Sequence, residues 1–121
     1  MLKVKTKLKE IAGKGIGLIA DQEIKKGQVV YTRHPVVDIW IKKTDIPKEA
    51  EDFFKRYSVD KGGDSVLLNT DNYRFLNHSD NPNIKWDGKN STAICDIHLG
   101  EEIVINYNEI DVNGVDFETK N

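Results

Sequence analysis

RFLNHSDNPN, residues 74–83, is the stretch on which the reading of this chain turns. Extended back to Asn72, it gathers four asparagines, one of the chain's three histidines and two aromatics into twelve residues. Phe75 and Leu76 are apolar and pull the segment toward a core, carrying Asn77 with them. A buried asparagine must satisfy two N–H donors and an acceptor. Two roles are open to it: a lock between backbone segments, or a contact to a ligand.

Working outward, SVLLN (65–69) reads as a short strand leading into this stretch. IKWDGKNSTAICDI (84–97) reads as a hairpin turning at Asp87-Gly88. IVINY (103–107) closes the regular structure, with Ile103, Ile105 and Tyr107 on one face. Upstream, Leu2, Val4, Thr6 and Leu8 alternate with lysines as one face of a strand, and the lysines discourage edge pairing. GKGIGLIA (13–20) is a glycine-rich turn into an apolar run, and Lys26-Gly27 turns into a strand ending at Tyr31. Residues 35–46 show no regular pattern. IPKEAEDFFKRYS (46–58) predicts the one helix: Pro47 suits its first turn, and Ala50, Phe53, Phe54 and Tyr57 form an apolar stripe. An echo runs across the chain. Ala20, Ile24, Gly27 and Val30 recur as Ala93, Ile97, Gly100 and Ile103, each 73 positions later. Two such Gly corners predict a compact architecture of many short strands, not a doubly wound sheet, which needs several long helices.

The bulk numbers exclude several classes. At 121 residues the chain fits one domain, taken as 1–121 with a core at about 4–108 and a polar tail at 109–121. A net charge of −2 does not suit a protein that coats nucleic acid, so no direct nucleic-acid partner is expected. Charge is uneven: Lys3, Lys5, Lys7, Lys9 and Lys14 mark the start, while six acids against one lysine mark the last 21 residues. Cys95 is the sole cysteine, which rules out an internal disulfide or thiolate cluster, and its isoleucine neighbours predict a buried thiol. The lysine-studded start is neither a signal peptide nor a membrane span, so an intracellular, cytoplasmic protein is expected. His34, His78 and His98 have no ligand-like spacing, so no metal site is expected. No Gly-Lys-Ser/Thr follows the glycine turn and no helix opens after it, which excludes phosphate-loop and dinucleotide readings. No nucleophile elbow is present.

Taken together, three segments resemble the SET domain of protein lysine methyltransferases. GKGIGLIA resembles that family's Gly-x-Gly entry, RFLNHSDNPN its Arg-Phe-x-Asn-His-Ser-x-x-Pro-Asn motif, and LGEEIVINY (99–107) its Gly-Glu-Glu-Ile closing motif, in order and over roughly residues 4–108. The resemblance implies a mostly β fold with one short helix: a β-clip of several small curved sheets with a knot-like C-terminal crossing. It implies S-adenosylmethionine as cofactor, held by Gly15, Ile16, Gly17, Asn77 and His78, with Arg74 beside them, and Tyr107 as the catalytic residue. Tyr31, Tyr57 and Tyr73 are candidates for the substrate channel, and Phe117 for its lid. The implied partner is a basic or lysine-containing protein, with no membrane; the bare domain resembles the minimal bacterial and viral forms, and small size and exposed strands allow a homodimer.

The departures from the family pattern are specific. Asn106 stands where an Asp often precedes the closing tyrosine. Asp80 stands where a Cys often follows Asn-His-Ser, and no Cys-rich segment is read after the closing motif, so the zinc cluster of many relatives is not expected. YTRHP (31–35) replaces a Tyr-Gly-Glu-like run. A SET fold that binds a basic peptide without catalysis is the alternative reading, and a carbohydrate- or metal-handling β-clip sharing only the Gly corners is a third.

Overall fold

The computed structural model describes residues 1–112 and 114. Phe117 and Val115 lie outside them. Among the described residues ten short strands form four small sheets, with one short α-helix, so the mostly β expectation holds. β1 (Thr6–Ile11) and β2 (Gly15–Ala20) make an antiparallel hairpin. β3 (Val29–Thr32) pairs with β9 (Asn90–Ala93), which also pairs with β8 (Ile84–Trp86). β4 (Asp38–Lys42) and β5 (Ser58–Asp60) flank β6 (Ser65–Asn69). β7 (Asn77–His78) runs parallel to β10 (Val104–Ile105). The helix, α1, is Glu51–Tyr57. Among the described residues no helix is long and apolar enough to cross a membrane.

The sequence echo becomes a local two-fold. Ile24 and Ile97 exchange both backbone hydrogen bonds at 2.8 Å. Gly27 N–H donates to the Ala93 carbonyl as Gly100 N–H donates to that of Ala20, both at 2.8 Å. Acidic side chains repeat the pattern: Asp96 accepts from Lys26 N–H at 2.9 Å, and Glu23 accepts from Leu99 N–H at 2.6 Å. Gly27 and Gly100 hold φ of 89° and 90°, where a Cβ is strained. Each corner thus supplies the backbone partners the other lacks, and the six apolar positions of the echo are all buried.

The C-terminal strand threads through this core. Ile103 N–H donates to Leu18 of β2 at 2.8 Å, while Ser79 N–H beyond β7 donates to Ile105 at 2.9 Å. Asn83, the last residue of the polar stretch, clamps the crossing. Its amide donates to the Glu102 carbonyl and its oxygen accepts from Val104 N–H, at 2.8 and 2.9 Å. Ile103 and Ile105 are wholly buried there, each worth about 1.5–3 kcal/mol of apolar burial.

Four expectations change. Residues 38–42, read as irregular, are strand β4, an edge strand whose Ile39 and Trp40 stay exposed. The helix is shorter than its pattern: Pro47 caps a separate 3-10 turn, Lys48–Ala50, before α1 begins. Its apolar stripe buries no residue; Phe53 meets Phe54 edge to face and Tyr57 at a tilt, and Tyr57 meets Phe75. Cys95 is exposed, because its neighbour Ile94 also faces outward while Ile97 turns in. Packing also continues past 108, since Ile110 lies against the core.

Candidate functional site

The β1–β2 turn and the segment 74–77 face one another across a cleft of about 300 Å³, a size at the lower end for small-molecule sites. Gly13, Lys14, Gly15 and Ile16 form one wall, Arg74 to Asn77 another, and Arg56 and Tyr57 reach in from α1, with Tyr107 beside them. Gly15 holds φ of 86°, and a Cβ there would come 3.1 Å from Arg56 Nη2. Glycine therefore keeps the backbone open at the point where the helix side chain approaches.

Asn77 resolves the question of lock or ligand in structural terms. Its Nδ2 donates to Glu102 Oε2 at 2.8 Å and to the Ile16 carbonyl at 3.2 Å, so it ties the Gly turn to the C-terminal strand. It also lines the cleft. Gly17 lies behind it: a Cβ there would meet Ile11 Cγ1 at 2.6 Å and Glu102 Oε2 at 2.8 Å. Glu102 was missed in the sequence. Its signal is the Glu-Glu pair after Gly100: Glu101 bonds locally to His98 N–H, while Glu102 turns to Asn77.

His78 is placed one layer back from the cleft. Its Nδ1 accepts from Tyr107 N–H at 3.0 Å, which leaves Nε2 to face Asp80 Oδ1 at 2.9 Å. Tyr107, first residue of a 3-10 turn Tyr107–Glu109, is buried. Its phenol donates to the Leu76 carbonyl at 2.6 Å. The phenol, the imidazole and the Asn77 segment thus meet in space.

Tyr107 has a second side. It also lines a narrow hollow of about 30 Å³, walled by Tyr57, Val59, Tyr73, Leu76 and Ile110. The wide cleft and the narrow hollow share Tyr57, Arg74, Leu76 and Tyr107. Of the channel candidates, Tyr57 lines both spaces, Tyr73 lines the hollow, and Tyr31 sits deeper, lining neither. Tyr31 and Tyr73 stack at 3.8 Å between ring centroids. The Tyr73 phenol meets Ser91 Oγ at 2.6 Å, and Tyr31 accepts from Asn69 Nδ2 at 3.0 Å. Burial holds both phenols far above the usual tyrosine range, helped at Tyr31 by Asp38, so both stay neutral. Arg74 donates to the Thr70 carbonyl at 3.1 Å, and its guanidinium lies 4.7 Å from the Phe75 ring centre, but its buried Nε has no partner. Among the described residues no group of His, Cys, Asp and Glu is arranged to hold a metal.

A family model described as the SET domain matches residues 15–108. Among solved structures, a Plasmodium falciparum candidate histone methyltransferase is 23% identical, with a TM-score of 0.62 over 88% of this chain and 95% of its own. A chain of an active polycomb repressive complex 2 in the basal state is 20% identical over 95% of this chain, with a TM-score of 0.65. Another polycomb repressive complex 2 chain, in an autoinhibited conformation bound to S-adenosylmethionine, is 21% identical over 93%, with a TM-score of 0.67. The match spans only 16% of each of these two longer chains.

Proposed function

The chain belongs to the SET domain family, and from that premise we propose that it is an S-adenosylmethionine-dependent protein lysine N-methyltransferase. The observation that carries this reading is Tyr107 standing between a cofactor-sized cleft and a narrow apolar hollow. A methyl donor on one side and a lysine side chain on the other would meet at that wall.

The cleft suits the cofactor chemically. Lys14, Arg56 and Arg74 offer cations to a carboxylate, the orphaned Arg74 Nε among them. Phe75, Tyr57 and Ile16 offer apolar and aromatic surface to a heterocycle. The open backbone at Gly15 and the amide of Asn77 would hold the rest. When bound, S-adenosylmethionine supplies a methyl already activated on a sulfonium.

The protein's task is then alignment. An incoming lysine has an ordinary pKa near ~10.4 and must be neutral to react. The apolar walls Val59, Leu76 and Ile110 disfavour the ammonium by desolvation and Arg74 at the junction by like charge, against the opposite pull of the Asp111 carboxylate, which lines the same hollow. Tyr107 is held through its phenol on Leu76 and its N–H on His78, so its ring is fixed at the wall where the amine arrives. A fixed geometry of this kind supplies catalysis by orientation without a strong general base. β1 and β4 lie at sheet edges, and a homodimer through either belongs to the same proposal, open to sedimentation.

The test is methyl transfer itself. Purified protein, methyl-labelled S-adenosylmethionine and a cell lysate should yield label recovered as N-methyllysine after acid hydrolysis. Stabilisation by the cofactor without any labelled lysine would favour the peptide-binding alternative. Absence of cofactor binding would overturn both.

A further inference from the structure

Beside the Tyr107 hollow lies a second one of about 20 Å³, with which it shares Val59, Asn69, Tyr73 and Ile110 as walls. Its far side is cationic and aromatic: Arg33, Lys61 and Trp86. The Arg33 guanidinium lies 4.9 Å from the Trp86 ring centre and 5.7 Å from that of Trp40. Lys61 Nζ lies 5.5 Å from the same Trp86 ring. The aromatic rings hold the two cations by their faces, which fixes the charges without neutralising them.

Two like charges gathered on one indole are an unfavourable arrangement unless an anion joins them. Among the described residues neither Arg33 nor Lys61 forms an ion pair. Arg33 Nε is buried with no hydrogen-bond partner. Burial, then the Arg33 charge, holds the Lys61 ammonium below its usual range, with the Asp111 charge opposing them. Of the described carboxylates, Asp111 acts on Lys61 by its charge and lines the adjoining hollow, but no ion pair joins it to either cation. Stacking by its face turns the in-plane N–H groups of Arg33 sideways, one of them toward the Tyr31 phenol, and a carboxylate matches the rest of that fork.

We propose, on the premise that the transferase reading holds, that this groove is a carboxylate subsite that selects substrates bearing an aspartate or glutamate beside the target lysine. The target side chain enters the Tyr107 hollow, and the neighbouring acid meets Arg33 and Lys61 across the shared walls. Runs of basic residues, which would crowd the same two cations, are disfavoured.

The experiment uses a peptide library with one fixed lysine and randomised flanks, labelled with methyl-tagged S-adenosylmethionine. The wild-type protein should label acid-flanked members at least about tenfold better than lysine- or arginine-flanked ones, the effect of one charge-assisted hydrogen bond. Arg33→Glu with Lys61→Glu should invert that order. Lys61→Glu alone, in the loop after β5, covers the case in which the double variant does not fold, and should at least erase the preference. Labelling with no acidic bias, or a bias that survives Lys61→Glu, overturns the subsite while leaving the transferase reading intact. No labelling of any member removes the transferase reading, and the subsite with it.

Discussion

Replacing Asn77 with alanine removes two hydrogen bonds from a position that water scarcely reaches. The bond to the Glu102 carboxylate spans 2.8 Å and the bond to the Ile16 carbonyl 3.2 Å. A hydrogen bond to a charged group contributes about 1.5–3 kcal/mol and a neutral one about 0.5–1.5. Glu102 keeps some solvent contact, which favours the lower end, so the expected loss is about 2–3 kcal/mol. For 121 residues the unfolding entropy is roughly 0.25 kcal/mol per kelvin, which converts that loss to a fall of about 8–12 °C in Tm. Asn77→Asp should be no milder, since it sets a second carboxylate against Glu102. Thermal unfolding followed by circular dichroism, with urea titration to check that the m-value is unchanged, gives the answer. A fall of less than about 3 °C would refute the role of Asn77 as the tie between the Gly turn and the C-terminal strand.

Gly27→Ala and Gly100→Ala meet no atom within 4 Å but place a Cβ on positive φ, so each should destabilise by about 1–2 kcal/mol. The two losses should be alike, and a large inequality in urea midpoints would contradict the two-fold. His98 bonds Glu23 at 2.8 Å, which raises the histidine's pKa, while the Leu99 N–H and then His98 lower that of Glu23. Stabilisation by the raised histidine is complete below about 6.5 and is lost as pH rises through the folded value; that of the lowered acid is present above about 4.5 and is lost as pH falls. The Tm difference between wild type and His98→Gln should therefore be larger at pH 5.5 than at pH 8, and equal differences would refute the pair.

The parts of the fold legible in the sequence were those governed by local chemistry. Asp87-Gly88 turns the β8–β9 hairpin because only a tight turn suits those residues, and the alternating Ile103, Ile105 and Tyr107 point inward together. The 73-residue echo announced two similar corners. It did not announce that they would bond each other, since reciprocity between Ile24 and Ile97 is a tertiary fact. β4 escaped because its Ile39 and Trp40 are exposed on an edge, which blurs the burial alternation that marks a strand. α1 misled in the opposite way: its stripe has helical spacing, but the aromatics pack on one another and on Phe75, with none buried. The two-residue parallel pairing of β7 with β10 has no periodicity to detect. At the site, motif order brought Gly15, Asn77 and Tyr107 into one reading. Glu102, Arg56 and the Arg33–Trp86 stack depend on chain segments far apart in sequence, and only the folded chain brings them together.

The central claim is that Tyr107 serves the transfer step from the wall between cleft and hollow. The direct measurement is Tyr107→Phe examined twice, by calorimetric titration with S-adenosylmethionine and by single-turnover transfer of labelled methyl to lysine. The account predicts cofactor affinity close to wild type with transfer abolished. Transfer at the wild-type rate by the phenylalanine variant would contradict it.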